Sequence, residues 1–143
     1  MTLARCALSA ALALSLVAPS VQAQEETGPR LSIELNATEQ VDESCRMSFL
    51  IRNGHDADVE SAVFEAVLFD AEGRVDRLTL FDFGTLPAGR PRVRQFLLSN
   101  LDCGSLGQVL INGAETCQAG ELGEAACTEG LELNSRAGVE LIG

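Results

Sequence analysis

The chain has 143 residues and a formal net charge of −11, with 21 acidic residues against ten arginines and no lysine. Nucleic acid and anionic membrane surfaces are excluded as partners, because both need a dominant basic field. Trp and Tyr are absent and only six Phe remain, so the usual aromatic anchors of carbohydrate and protein hot spots are missing.

In chain order, the first segment reads as an export signal. Arg5 supplies a positive start, Cys6 to Val17 is a run of small apolar residues, and Val21-Gln22-Ala23 has the small-x-small shape of a signal peptidase site. Cleavage is expected after Ala23, so residues 1–23 are the signal peptide and the mature protein is periplasmic or secreted. The apolar run is too short for a bilayer span, and no later stretch approaches the ~20 apolar residues a span needs. Stable membrane insertion is therefore not expected. Loss of Arg5 with the signal takes the formal charge from −11 to −12. Residues 24–30 follow as a polar linker.

From Leu31 the hydrophobic period is two. Leu31, Ile33 and Leu35 alternate with polar residues, and Cys45, Met47, Phe49 and Ile51 do so again; both read as half-buried strands. Asn53-Gly54-His55-Asp56 is a turn. Ser61 to Asp70 is apolar on both parities, the pattern of a central strand covered on both faces. A hairpin through Ala71-Glu72-Gly73 returns as Val75 to Phe83. Leu86-Pro87-Ala88-Gly89 forms a corner, Arg90 to Ser99 another strand, and Gln108 to Asn112 a short one. Short strands at regular spacing with Gly and Pro corners predict an all-β fold, an immunoglobulin-like antiparallel β-sandwich over residues 31–112. Residues 113–143 are expected to form a cysteine-containing C-terminal extension, with an edge hairpin around Asn134-Ser135-Arg136.

The stretch Ala66-Val67-Leu68-Phe69-Asp70, with the flanking strands and the Leu-Pro-Ala-Gly corner, resembles the bacterial extracytoplasmic immunoglobulin-like modules of the FxLYD type. Phe69 stands where that family has Tyr, and Ala66 where it has its leading Phe. The resemblance spans Leu31 to Ile111. It implies a sandwich with an accessory or interaction role, and it leaves the C-terminal segment unexplained.

Four cysteines remain after the signal, at intervals of 58, 14 and 10 residues. An even number in an exported chain indicates two disulfides, and the spacing lacks the close pairs of zinc sites. Cys117 and Cys127 are near enough to close on each other, which leaves Cys45 for Cys103; the other two connectivities stay open at this point.

Arg90, Arg92 and Arg94 stand at every second position of a strand and would share one face. They read as a solvated strand face that pairs with the domain's own acids, or as a docking stripe for a carboxylate or phosphate partner. His55 is the only histidine and reads as a loop residue, with Asp56, Asp58 and Glu60 a weak calcium pattern. No serine elbow, Cys-x-x-Cys or metal-ligand spacing is present. No cofactor, no metal and no enzymatic activity are expected. The function expected is a non-enzymatic binding or assembly module of the bacterial envelope, contacting an envelope protein through a sheet edge or the Arg90/Arg92/Arg94 face. The alternative is a small secreted inhibitor or ligand carrier that acts through the cross-linked loop 113–128.

Overall fold

The computed structural model describes residues 28–143; the expected signal peptide 1–23 and most of the linker lie outside them. Eight strands follow one another: β1 (Leu31–Val41), β2 (Ser44–Asn53), β3 (Val59–Asp70), β4 (Val75–Leu86), β5 (Arg92–Ser99), β6 (Leu106–Gln118), β7 (Glu132–Ser135) and β8 (Glu140–Ile142). They form two four-stranded sheets in the orders β5-β2-β1-β7 and β4-β3-β6-β8. The fold is an all-β, immunoglobulin-like sandwich. β1–β2 and β3–β4 are antiparallel hairpin pairs within a sheet, and the chain crosses between sheets after β2, β4, β5, β6 and β7.

Alternation in the sequence becomes the two faces of each strand. On β2, Cys45, Met47, Phe49 and Ile51 are fully buried, each such large side chain worth about 1.5–3 kcal/mol relative to exposure. The centre of the core is aromatic. The Phe49 ring lies 4.9 Å from Phe81, 5.5 Å from Phe83 and 6.0 Å from Phe96, centroid to centroid. β4 and β5 belong to opposite sheets, so this cluster is what holds the two layers together at that side.

Both disulfides have the connectivity Cys45–Cys103 and Cys117–Cys127. The first ties β2 to the short turn Cys103–Ser105 that leads into β6; the second closes the segment after β6 onto that strand. In the 70–74 hairpin, Gly73 takes φ +79°, and Asp70 Oδ1 accepts from the backbone N–H groups of Glu72 and Arg74.

Three expectations need correction. The boundary at residue 113 does not separate a domain from an extension: β6 runs through it from Leu106 to Gln118. Small and polar residues there suggest a loop, yet bulges in the pairing with β3 at Phe64–Ala66 carry the strand past Gly113. The terminal strands do not form an edge hairpin. β7 pairs in parallel with β1 and β8 in parallel with β6, so the turn at 136–139 crosses from one sheet to the other. Arg136 N–H donates to the Leu35 carbonyl at 2.9 Å, while Val139 and Leu141 are buried. Finally, β3 is central in its sheet, but among the described residues no second layer covers its outer face. Val67 on that face is 8% exposed because its cross-strand neighbours Leu78 and Leu110 flank it.

Candidate interaction surfaces

The three arginines do not project together into solvent. β5 starts at Arg92, so Arg90 belongs to the corner, where its N–H donates to the Pro87 carbonyl at 3.2 Å. Arg92 and Arg94 stand opposite Ile51 and Phe49, both of which face the core. The arginines therefore occupy the inner parity of an edge strand, and the outward parity carries Val93, Gln95 and Leu97. None of the three forms an ion pair among the described residues. Arg94 instead reaches the opposite sheet: Nε donates to the Phe83 carbonyl at 2.9 Å and Nη2 to the Thr85 carbonyl at 3.3 Å. Between those carbonyls lies Gly84, at φ +65°, a left-handed backbone conformation that glycine adopts without strain. Arg77 makes the reciprocal connection from β4, donating to the carbonyls of Ser99 and Asn100 at 2.9 and 3.0 Å. Two guanidiniums thus close the open side between edge strands β4 and β5. Planar, forked donors suit this bracing of backbone carbonyls better than a single ammonium would. The sequence pattern identified the shared parity of Arg92 and Arg94 but not its direction.

His55 is a structural turn residue. Its Nε2 lies 2.8 Å from the Ala126 carbonyl, and its backbone N–H donates to Asn53 Oδ1. The buried Asn53 side chain organises the same turn through the Ala57 and Leu86 carbonyls. Asp58 Oδ1 accepts from Ala88 N–H, so its carboxylate already caps the 86–89 corner. Among the described residues no three His, Cys, Asp or Glu side chains gather as a metal-binding group. A cleft of about 400 Å3 lies beside the His55 turn, lined in part by Arg30, Leu122 and Glu129. Arg30 there is paired with Glu132 at 3.0 Å.

The segment closed by Cys117–Cys127 consists of two short 3-10 turns, Gly120–Leu122 and Glu124–Cys127. Its base is packed: Ala119, Ala126 and Cys127 are buried. Glu121 and Glu124 remain exposed at its tip.

The outer faces of the two sheets differ. On the β5-β2-β1-β7 sheet, Arg46 and Glu39 stand opposite each other with a 2.8 Å ion pair, and the exposed apolar residues Val93 and Leu97 are confined to the edge strand β5. On the β4-β3-β6-β8 sheet, an apolar row crosses all four strands. Leu78 stands opposite Val67, Val67 opposite Leu110, and Leu110 opposite Ile142. Val75, Leu78 and Leu80 on β4 are 57, 60 and 53% exposed. This face was missed because β4 carries large apolar residues on both parities. Phe81 and Phe83 explain the strand as a core element, and its overall apolarity hides that Leu78 and Leu80 stand on the other parity. The signal that could have found them is the adjacency Leu80-Phe81, since consecutive strand residues face opposite sides.

A comparison with solved structures finds IrmA from Escherichia coli, with a TM-score of 0.57 and 12% sequence identity over 73% of this chain and 91% of that one. At that identity the likeness concerns the fold alone. No family model matches the chain, and no curated protein matches it by sequence.

Proposed function

We propose that the protein is an exported, non-enzymatic binding or assembly module of the bacterial envelope, of the immunoglobulin-like kind that the Ala66–Asp70 stretch resembles. The observation that carries this reading is the apolar row on the outer face of the β4-β3-β6-β8 sheet, open to solvent at Leu78 and Ile142 and at the neighbouring Leu80. Exposed contiguous apolar surface of this kind characterises interaction sites on soluble proteins. Two disulfides support an oxidising compartment, in agreement with the export signal read at residues 1–23. The titratable residues support binding more than catalysis, since the one histidine is engaged in holding a turn. A contact through Arg90, Arg92 and Arg94 is the weaker form of the proposal, because Arg94 is already committed to β4.

The test is capture from periplasmic extract with three proteins: wild type, Leu78→Ser/Leu80→Ser, and Arg90→Ser/Arg92→Ser/Arg94→Ser. Loss of specific partners with the leucine variant and their retention with the arginine variant is expected. Equal recovery with wild type and the leucine variant refutes the assignment to this face.

A second reading is favoured by the covalently closed, buried-base segment 117–127, which is preorganised for insertion into a cleft. Deleting Gln118 to Ala126 would abolish an inhibitor or carrier activity while leaving the sandwich folded. Retained activity in that deletion removes this reading.

A further inference from the structure

The charge around the apolar row has one sign. Glu65 and Asp82 stand on the outer face of the sheet, at positions opposite Leu80 and Val63. Glu140 lies opposite Gln108 and accepts from its Nε2 at 2.8 Å. Glu115 joins Glu65, Leu78 and Leu80 in lining a groove of about 270 Å3. Among the described residues none of these four carboxylates has an ion-pair partner; the pairs formed are Arg30–Glu132, Arg46–Glu39, Arg74 with Asp70 and Glu72, and Arg77–Asp76. The arginines nearest this sheet are turned elsewhere, Arg77 toward the β5 end and Arg74 into the hairpin. The outer face of the other sheet, by contrast, carries both signs, with Arg46 paired to Glu39 across strands and Arg30 to Glu132 at its edge.

From this we infer that the outer face of the β4-β3-β6-β8 sheet docks a protein segment that presents apolar side chains flanked by lysine or arginine. The inference rests on the binding-module reading above and adds the chemistry of the partner. Apolar side chains of the segment cover Leu78 and Leu80, and its cations meet Glu65, Glu115 and Asp82 at the rim. Such complementarity sets selectivity and encounter rate more than affinity. A second copy of this chain is disfavoured as the occupant. Two such faces brought together would oppose carboxylates to carboxylates in a molecule that already carries a formal charge of −11, and like charges juxtaposed across an interface cost affinity.

Three fluorescein-labelled peptides of equal length test this on the full mature protein: alternating lysine–leucine, lysine–serine and glutamate–leucine. Anisotropy titrations at low and high salt are expected to show lysine–leucine binding at least about ten-fold tighter than either control, and weakening with salt. Leu78→Ser/Leu80→Ser should lose that preference. Glu65→Gln/Glu115→Gln should weaken binding and flatten the salt dependence, with both variants melting as wild type does. The inference is overturned if lysine–serine binds as well as lysine–leucine, or if glutamate–leucine is preferred. It also fails if the leucine variant binds unchanged. Sedimentation showing a wild-type dimer that Leu78→Ser/Leu80→Ser dissolves would make a second copy the occupant, and leucine-dependent flotation with zwitterionic vesicles would make it a membrane. If partners are captured through the leucine face while the lysine–leucine peptide does not bind, the partner chemistry is wrong and the binding-module reading stands.

Discussion

Removing the two disulfides one at a time should destabilise the protein unequally, in the order set by the loops they close. The Cys45–Cys103 bridge spans a sequence separation of 58 residues and Cys117–Cys127 one of 10. Loop-closure entropy in the unfolded chain then gives about 4 kcal/mol for the first and about 3 kcal/mol for the second, a difference of roughly 1.5 kcal/mol before rounding. The comparison is clean because packing losses are similar. Each bridge has one fully buried member, Cys45 or Cys127, and one half-buried member, Cys103 or Cys117. Replacing each pair by alanines thus removes comparable sulfur contacts, and the loop term is left to decide. Urea denaturation of Cys45→Ala/Cys103→Ala and Cys117→Ala/Cys127→Ala measures both. At about 4 °C per kcal/mol for a domain of this size, the melting temperatures should also lie about 6 °C apart. Equal destabilisation, or a larger loss from the short loop, would refute the argument that these bridges act mainly on the unfolded state.

Phe49→Ala should cost about 3–5 kcal/mol in the same denaturation assay, since it empties the centre of a four-ring cluster; a loss below about 1 kcal/mol would mean the cluster is not the core. Arg94→Ala should cost about 1–3 kcal/mol by leaving the Phe83 and Thr85 carbonyls without their charged donor, and Arg94→Lys should restore only part of it. Full recovery with lysine would contradict the forked geometry. Asp70 is held below the usual carboxylate pKa, chiefly by the Arg74 backbone N–H and then by the Arg74 side chain and the Glu72 N–H. A depressed folded-state pKa means that its support of the hairpin is complete above the unfolded carboxylate range and is lost as pH falls through the lower folded value. Amide shifts of Glu72 and Arg74 should report that acidic transition by NMR and lose it in Asp70→Asn; an unchanged titration in the variant would assign it elsewhere.

Alternation made much of the sandwich legible. β2 follows its sequence parity almost residue by residue, and β1 does so as far as Leu35, after which a shift of register ends the alternation, because one face of each is core and the other solvent. The cysteine pairing was legible for a different reason, since Cys45 sits on the buried parity and the 117–127 interval is short. What remained hidden depends on contacts between distant strands. On β5 the local pattern is ambiguous: Phe96 and Leu98 share the parity of Arg92 and Arg94 and pack against the core, yet Val93 and Leu97 make the other parity equally apolar and are exposed. β7 and β8 are four and three residues long, so their sheet membership follows from the strands already present at β1 and β6. The apolar face escaped notice for the same reason, as Leu78, Val67, Leu110 and Ile142 meet only through register.

The most direct test of a binding face on the β4-β3-β6-β8 sheet is photo-crosslinking in the exporting host, with a benzophenone amino acid placed at Leu80 or, on the opposite sheet, at Val93. Both positions are exposed to a similar degree, 53 and 61%. A discrete adduct from Leu80 and none from Val93 is the expected result. Adducts from Val93 alone, or equal labelling from both, would contradict the account.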